Sequence, residues 1–138
     1  MKNTCNSFLL FFLGISLLGN AQVLDFSKAK IHISSGIKSP HRETYIRVLQ
    51  EEIKARTELN LVVQNQSDLS PMIALVLSTD QNIDGVSLPQ LAKNDVSFKK
   101  DGYCISVDAN SKRPILWLMG GDDRGVLYAI GEFLRKAD

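Results

Sequence analysis

The chain has 138 residues, 44% of them hydrophobic and 22% charged, with 16 Lys+Arg against 15 Asp+Glu. That composition suits one globular domain and excludes a disordered chain. A charge of +1 excludes recruitment to nucleic acid or to an anionic membrane by bulk charge.

Residues 1–21 read as a secretory signal peptide. Lys2 supplies the positive start, residues 8–18 form an apolar run broken only by Gly14 and Ser16, and Gly19 and Ala21 place small residues where a signal peptidase reads. The run falls short of the roughly 20 apolar residues that a membrane span needs, so no span is expected. Cleavage is expected after Ala21, which leaves a domain of residues 22–138 and a secreted or periplasmic protein. Removing Lys2 and no acid makes that domain formally neutral. Cys104 is then the only cysteine left, expected as a small buried strand residue in a fold without an intramolecular disulfide.

The elements follow in order. Residues 30–34 alternate, with Ile31 and Ile33 on one side and Lys30, His32 and Ser34 on the other, as in a half-buried strand. Ser39 is the expected N-cap of a helix with Pro40 at its first position. Ile46, Leu49 and Ile53, with Tyr45 beside them, mark the helix stripe to Thr57 or Glu58. Residues 60–63 read as a second strand. Residues 72–77 are apolar on both faces, which predicts a central strand covered on each side. Residues 79–101 are irregular, with a short helix expected over 87–93; a stretch this long is commonly functional or a docking surface. Residues 102–108 and 114–119 predict an antiparallel hairpin. Asp122 is the expected N-cap of a final helix with Val126, Ile130, Phe133, Leu134 and Ala137 on its apolar stripe. The order predicts an α+β two-layer sandwich: a largely antiparallel sheet of about five strands with two long helices on one face. The first β-α-β unit is expected to pair in parallel.

Candidate chemistry is sparse. Gly120-Gly121-x-x-x-Gly125 is neither a dinucleotide fingerprint nor a P-loop, and Asp122 and Asp123 would repel a phosphate, so a capped turn is expected. His32 and His41 are read as surface histidines, without a His-Glu-x-x-His zinc site. The carboxylate pairs are Glu51-Glu52, Asp122-Asp123 and Asp80/Asp84. Glycoside hydrolysis needs two carboxyls across a cleft, and adjacent helix residues diverge by about 100°. No Gly-x-Ser-x-Gly elbow is present. Trp117 is expected in the core, and with Tyr103 it is the candidate for stacking on a sugar ring. Asn65-Gln66-Ser67 is a glycosylation sequon. The residues thus offer no catalytic, cofactor-binding or metal-binding set.

Three segments together resemble one family. Leu49-Gln50-Glu51-Glu52-Ile53-Lys54-Ala55-Arg56-Thr57 is similar to a Leu-x-x-Glu-Ile-x-x-Arg-Thr helix, and Asp101-Gly102-Tyr103-Cys104-Ile105 to a Glu/Asp-Gly-Tyr-x-Ile strand. Residues 120–134 resemble a Gly-x-Asp-x-Arg-Gly-x-Leu-Tyr-Gly-x-x-x-Leu-Leu helix, with Ala129 where the family often has glycine. These are features of the N-terminal accessory domain of α-glucuronidase-type glycoside hydrolases; the β-N-acetylhexosaminidase N-terminal domain is similar. The resemblance implies a catalytic (β/α)8 barrel as the partner in full-length relatives, with the catalytic carboxylates in that barrel. A barrel takes about 250 residues, so no family catalytic residue maps here. The chain is expected to be a fragment or stand-alone copy of the accessory domain, inactive by itself. The alternative is a free-standing carbohydrate-binding or protein-docking module using Trp117, Tyr103 or residues 79–101.

Overall fold

The computed structural model describes residues 24–66, 68–89, 99–109 and 112–137. The expected signal peptide, and residues 90–93 of the expected short helix, lie outside them. The elements are β1 (Lys30–Ile33), α1 (His41–Thr57), β2 (Val62–Val63), β3 (Met72–Leu77), β4 (Asn82–Ile83), β5 (Val86–Ser87), β6 (Tyr103–Asp108), β7 (Ile115–Gly120) and α2 (Asp123–Lys136). Five strands form one sheet in the order β2-β1-β3-β7-β6, and β4 and β5 form a separate small hairpin.

The α+β layering and the two helices on one face agree with the sequence. Strand direction does not. In the five-stranded sheet β1 pairs in parallel with β2 and with β3, β3 pairs in parallel with β7, and β6 pairs antiparallel with β7. The sheet is therefore mixed and mostly parallel, with antiparallel pairing confined to the expected β6–β7 hairpin. The long stretch after β3 makes this possible, because it exceeds the dozen or so residues a parallel return needs.

Period 2 along the central strands sends two residue sets to opposite faces. Ile73, Leu75, Leu116 and Leu118 face the helices and pack with Tyr45, Leu49 and Ile53 of α1 and with Val126, Ile130 and Phe133 of α2. Each such side chain contributes about 1.5–3 kcal/mol when fully buried. Met72, Ala74, Val76, Ile115, Trp117 and Met119 point the other way, where Ile83, Val86 and Leu88 of the β4–β5 segment join them. Both faces of β3 are thus covered, as its unbroken apolar run predicts.

α1 buries Tyr45, Leu49 and Ile53, one residue per turn, and ends where Glu58 takes a left-handed φ of 61°. Its N-cap is Pro40, not Ser39; the Ser39 hydroxyl donates to the Glu43 carboxylate instead. The expected helix at 87–93 is not formed at its start, because Ser87 belongs to β5. The hairpin turns at Asp84-Gly85, with φ of 47° and 80°, the all-positive geometry that matches the twist of two short strands. Cys104 is buried, as expected, and is engaged in a disulfide. The expectation of a disulfide-free fold concerns the chain cut after Ala21, which keeps Cys104 as its single cysteine.

Candidate functional site

The chain leaves β1 towards β2 on one side and leaves β3 towards β7 on the other. In open sheets with parallel strands, such a reversal opens a crevice at the carboxyl ends of the strands. A cavity of about 390 Å³ lies there, lined by Ser34, Ser35, Arg42, Asp80, Asn82 and Asp84 among others. Its walls are set by short local bonds. Arg42 donates through one guanidinium nitrogen to the carbonyls of Ser34 at 2.8 Å and Ile33 at 3.3 Å, tying α1 to the end of β1. Asp80 Oδ2 accepts the Leu77 N–H at 2.8 Å, and Ser34 Oγ accepts the Gly36 N–H at 3.0 Å.

Asp84 reaches back from the β4–β5 turn to His32 on β1. His32 is 0% exposed, and its Nδ1 meets Asp84 Oδ2. A carboxylate only accepts, so Nδ1 carries the proton and Nε2 is left with no partner among the described residues. The reading of His32 as a surface residue is therefore wrong. The covering hairpin buries it, and Asp84, 52 residues away, satisfies one nitrogen. His41 is exposed as expected and meets Asp123 at 2.9 Å.

Of the three carboxylate pairs, only Asp80 and Asp84 share a cavity. Glu51 and Glu52 lie on the exposed face of α1, and Asp122 is a cap. Trp117 is 1% exposed and belongs to the core, with no partner for its indole N–H among the described residues. Tyr103 is 37% exposed at the start of the edge strand β6. Asn65 of the sequon lines the cleft; Ser67 lies outside the described residues. Arg113, in the connection between β6 and β7, is 5% exposed and donates to the Asp68 carbonyl. The Asp68 carboxylate meets Lys30 and also accepts the Ser70 N–H, and these contacts hold it well below the usual carboxylate range.

The three segments that carry the family resemblance are one structural unit. Asp122 Oδ1 accepts the Gly125 N–H at 2.8 Å and Oδ2 accepts the Asp101 N–H at 3.0 Å, which lowers the pKa of this cap. Gly121 N–H bonds the Gly102 carbonyl at 2.8 Å. A Cβ on Gly125 would stand 2.2 Å from that same carbonyl oxygen, and one on Gly120 would stand 2.3 Å from the Val126 nitrogen. The glycines are required by close backbone approach, which confirms a capped turn in place of a phosphate loop. Arg56 donates to the Leu134 carbonyl, and Tyr45 OH donates to the Asp123 carbonyl at 2.7 Å. Both contacts span 78 residues, so α1 and α2 run side by side in the same direction.

The outward face of α2 is different. Leu127 and Tyr128 are 40% and 42% exposed, and with Tyr103, Gly131 and Arg135 they line an open groove of about 480 Å³. A Cβ on Gly131 would meet no atom within 4 Å. Nothing in the domain's own packing requires this glycine, although it costs a helix interior about 0.5–1 kcal/mol relative to alanine.

Among the described residues, no three His, Cys, Asp or Glu side chains gather as a metal site, and no helix is long and apolar enough to cross a membrane. A family model described as "Glycosyl hydrolase family 67 N-terminus" matches residues 18–133. No curated protein matches the chain.

Proposed function

Because the chain belongs to the N-terminal domains of glycosyl hydrolase family 67, the α-glucuronidase type, we propose that its work is to dock on a catalytic domain rather than to cleave a bond. The observation that carries this is the use of the family's motif residues: Arg56, Gly102, Gly120, Asp122 and Gly125 are spent on caps, close backbone contacts or helix pairing, while Tyr103, Leu127 and Tyr128 of the same motifs stay exposed. The docking surface is the outward face of α2, where Leu127, Tyr128 and Tyr103 stay exposed around Gly131. A glycine that the domain's own core leaves open is the mark of a neighbour that comes close. Such a neighbour would gain the apolar burial that this face lacks here.

Assays with aryl α-glucuronides and aryl N-acetylglucosaminides should give no turnover, and turnover by the purified chain would sink this reading. Association with the catalytic domain of a family 67 α-glucuronidase should be lost on Leu127→Glu or Tyr128→Glu. Undiminished association would move the interface elsewhere.

Export is part of the same proposal and rests on the character of residues 1–21. Mass spectrometry of the secreted protein should find Gln22 at its start and one titratable thiol after unfolding. A chain that keeps Met1 outside the cell would refute cleavage.

A further inference from the structure

The cleft at the ends of β1 and β3 is remote in kind from the α2 face, being polar where that face is apolar. Its volume, about 390 Å³, lies within the roughly 300–1,000 Å³ of small-molecule sites. We infer that this cleft binds a neutral, hydroxyl-rich saccharide unit, held by the carboxylates of Asp80 and Asp84 and by Asn82 and Ser35. Each carboxylate has one oxygen committed to the protein, Asp80 to the Leu77 N–H and Asp84 to His32. The buried imidazole holds one oxygen of the Asp84 carboxylate, which leaves the other as an acceptor on a residue that lines the cleft. Asn82, which is exposed, offers both a donor and an acceptor, and the Ser35 hydroxyl does the same.

Other ligand classes fit less well. Two carboxylates against the single guanidinium of Arg42, one nitrogen of which donates to the Ser34 and Ile33 carbonyls, leave the named lining net negative and disfavour a phosphate or a uronate. A divalent cation lacks a third acidic or imidazole ligand among the described residues. An apolar ligand would leave the polar walls unpaired. Alternating donors and acceptors without net positive charge is the chemistry that sugar hydroxyls satisfy. The charge argument has a specific consequence: the cleft should reject glucuronate and accept a neutral sugar. This inference does not need the docking proposal, and it concerns different residues.

The test is a titration of the ¹⁵N-labelled full chain with xylobiose, and separately with glucuronate, followed by amide chemical shifts. Xylobiose should move the amides of residues 34–36 and 80–85 with a dissociation constant in the millimolar range, and glucuronate should bind at least about tenfold more weakly, a 1.4 kcal/mol difference. Asn82→Ala and Ser35→Ala are exposed positions; each should weaken xylobiose several-fold with the rest of the spectrum unchanged. Leu127→Glu should leave this binding intact, so failure of the docking reading and failure of this one are separable. Absence of shifts with xylobiose, tighter binding of glucuronate, or shifts centred on Tyr103 and α2 would each overturn the inference.

Discussion

Two glycines of α2 should respond to alanine with opposite signs. Helix propensity favours alanine over glycine by about 0.8–1.0 kcal/mol in a helix interior. At Gly131 the new methyl meets nothing within 4 Å, so the whole gain should appear as stability. At Gly125 the methyl would stand 2.2 Å from the Gly102 carbonyl oxygen, a backbone atom tied to Gly121. Relieving that overlap means moving β6 away from the start of α2, and overpacking of this kind costs about 1–3 kcal/mol or more. A backbone overlap this close takes the upper end of that range, so, offset by the propensity gain, Gly125→Ala should lose about 2 kcal/mol, leaving the two variants about 3 kcal/mol apart. Urea unfolding followed by circular dichroism reads this directly: the midpoint should rise for Gly131→Ala and fall for Gly125→Ala, with the slope unchanged in both. A melting shift of about 4 °C per kcal/mol is expected alongside. If Gly125→Ala were as stable as the parent chain, the interlock of the β6 and α2 motifs would not exist as described. If Gly131→Ala were destabilising, its face would already be covered and the docking surface would be misplaced.

Other perturbations follow from the same contacts. Asp122→Ala removes the cap from Gly125 and the acceptor for Asp101, and thermal unfolding should show a loss of about 1–2 kcal/mol. The pKa values of Asp122 and Asp68 are lowered in the folded state, so their stabilisation is complete above the unfolded value near 4 and is lost as pH falls below it. Unfolding midpoints should therefore decline below about pH 4, and Asp68→Asn should flatten that decline. Trp117→Ala should cost about 3–5 kcal/mol, because this indole is core; if the variant unfolded like the parent but lost sugar binding, the core assignment would be wrong. Arg56→Ala removes a donor to the Leu134 carbonyl, and hydrogen exchange should quicken at the C-terminal turn of α2 while the centre of β3 stays protected.

Local features were legible and long-range ones were not. The stripe of Leu49 and Ile53, the Asp122 cap and the two-sided apolar run of β3 are statements about neighbours in the chain, and each appears where its pattern places it. Strand direction depends on which strand enters between β1 and β7, and alternation along β3 carries no sign of that. His32 alternates with Ile31 and Ile33 as a solvent-facing residue would; only Asp84 and the covering hairpin make it internal. The hairpin did leave a signal in Asp84-Gly85, a turn pair beside Ile83 and Val86. Arg113 gave none, since its burial rests on the Asp68 carbonyl across 45 residues. The site was legible only as a long irregular stretch after β3; the convergence of Ser34, Arg42 and Asp80 needs the parallel pairing of β1 with β3.

The common direction of α1 and α2 gives this nearly neutral chain an electrical axis. Both helices begin at the same end of the sheet, so their positive ends lie together and would repel. The acids answer that arrangement: Glu43 in the first turn of α1, and Asp122 and Asp123 at the start of α2. Lys54, Arg56, Arg135 and Lys136 gather at the opposite ends, near the level where Lys30 and Arg113 flank the strand starts. These acids and bases oppose the backbone dipoles at the helix ends, although Arg42 and Arg124 stand beside the acids in the first turns. A domain of nearly zero charge can still arrive at a charged surface with one end first, and the ionic strength of the medium would set how strongly that orientation is felt.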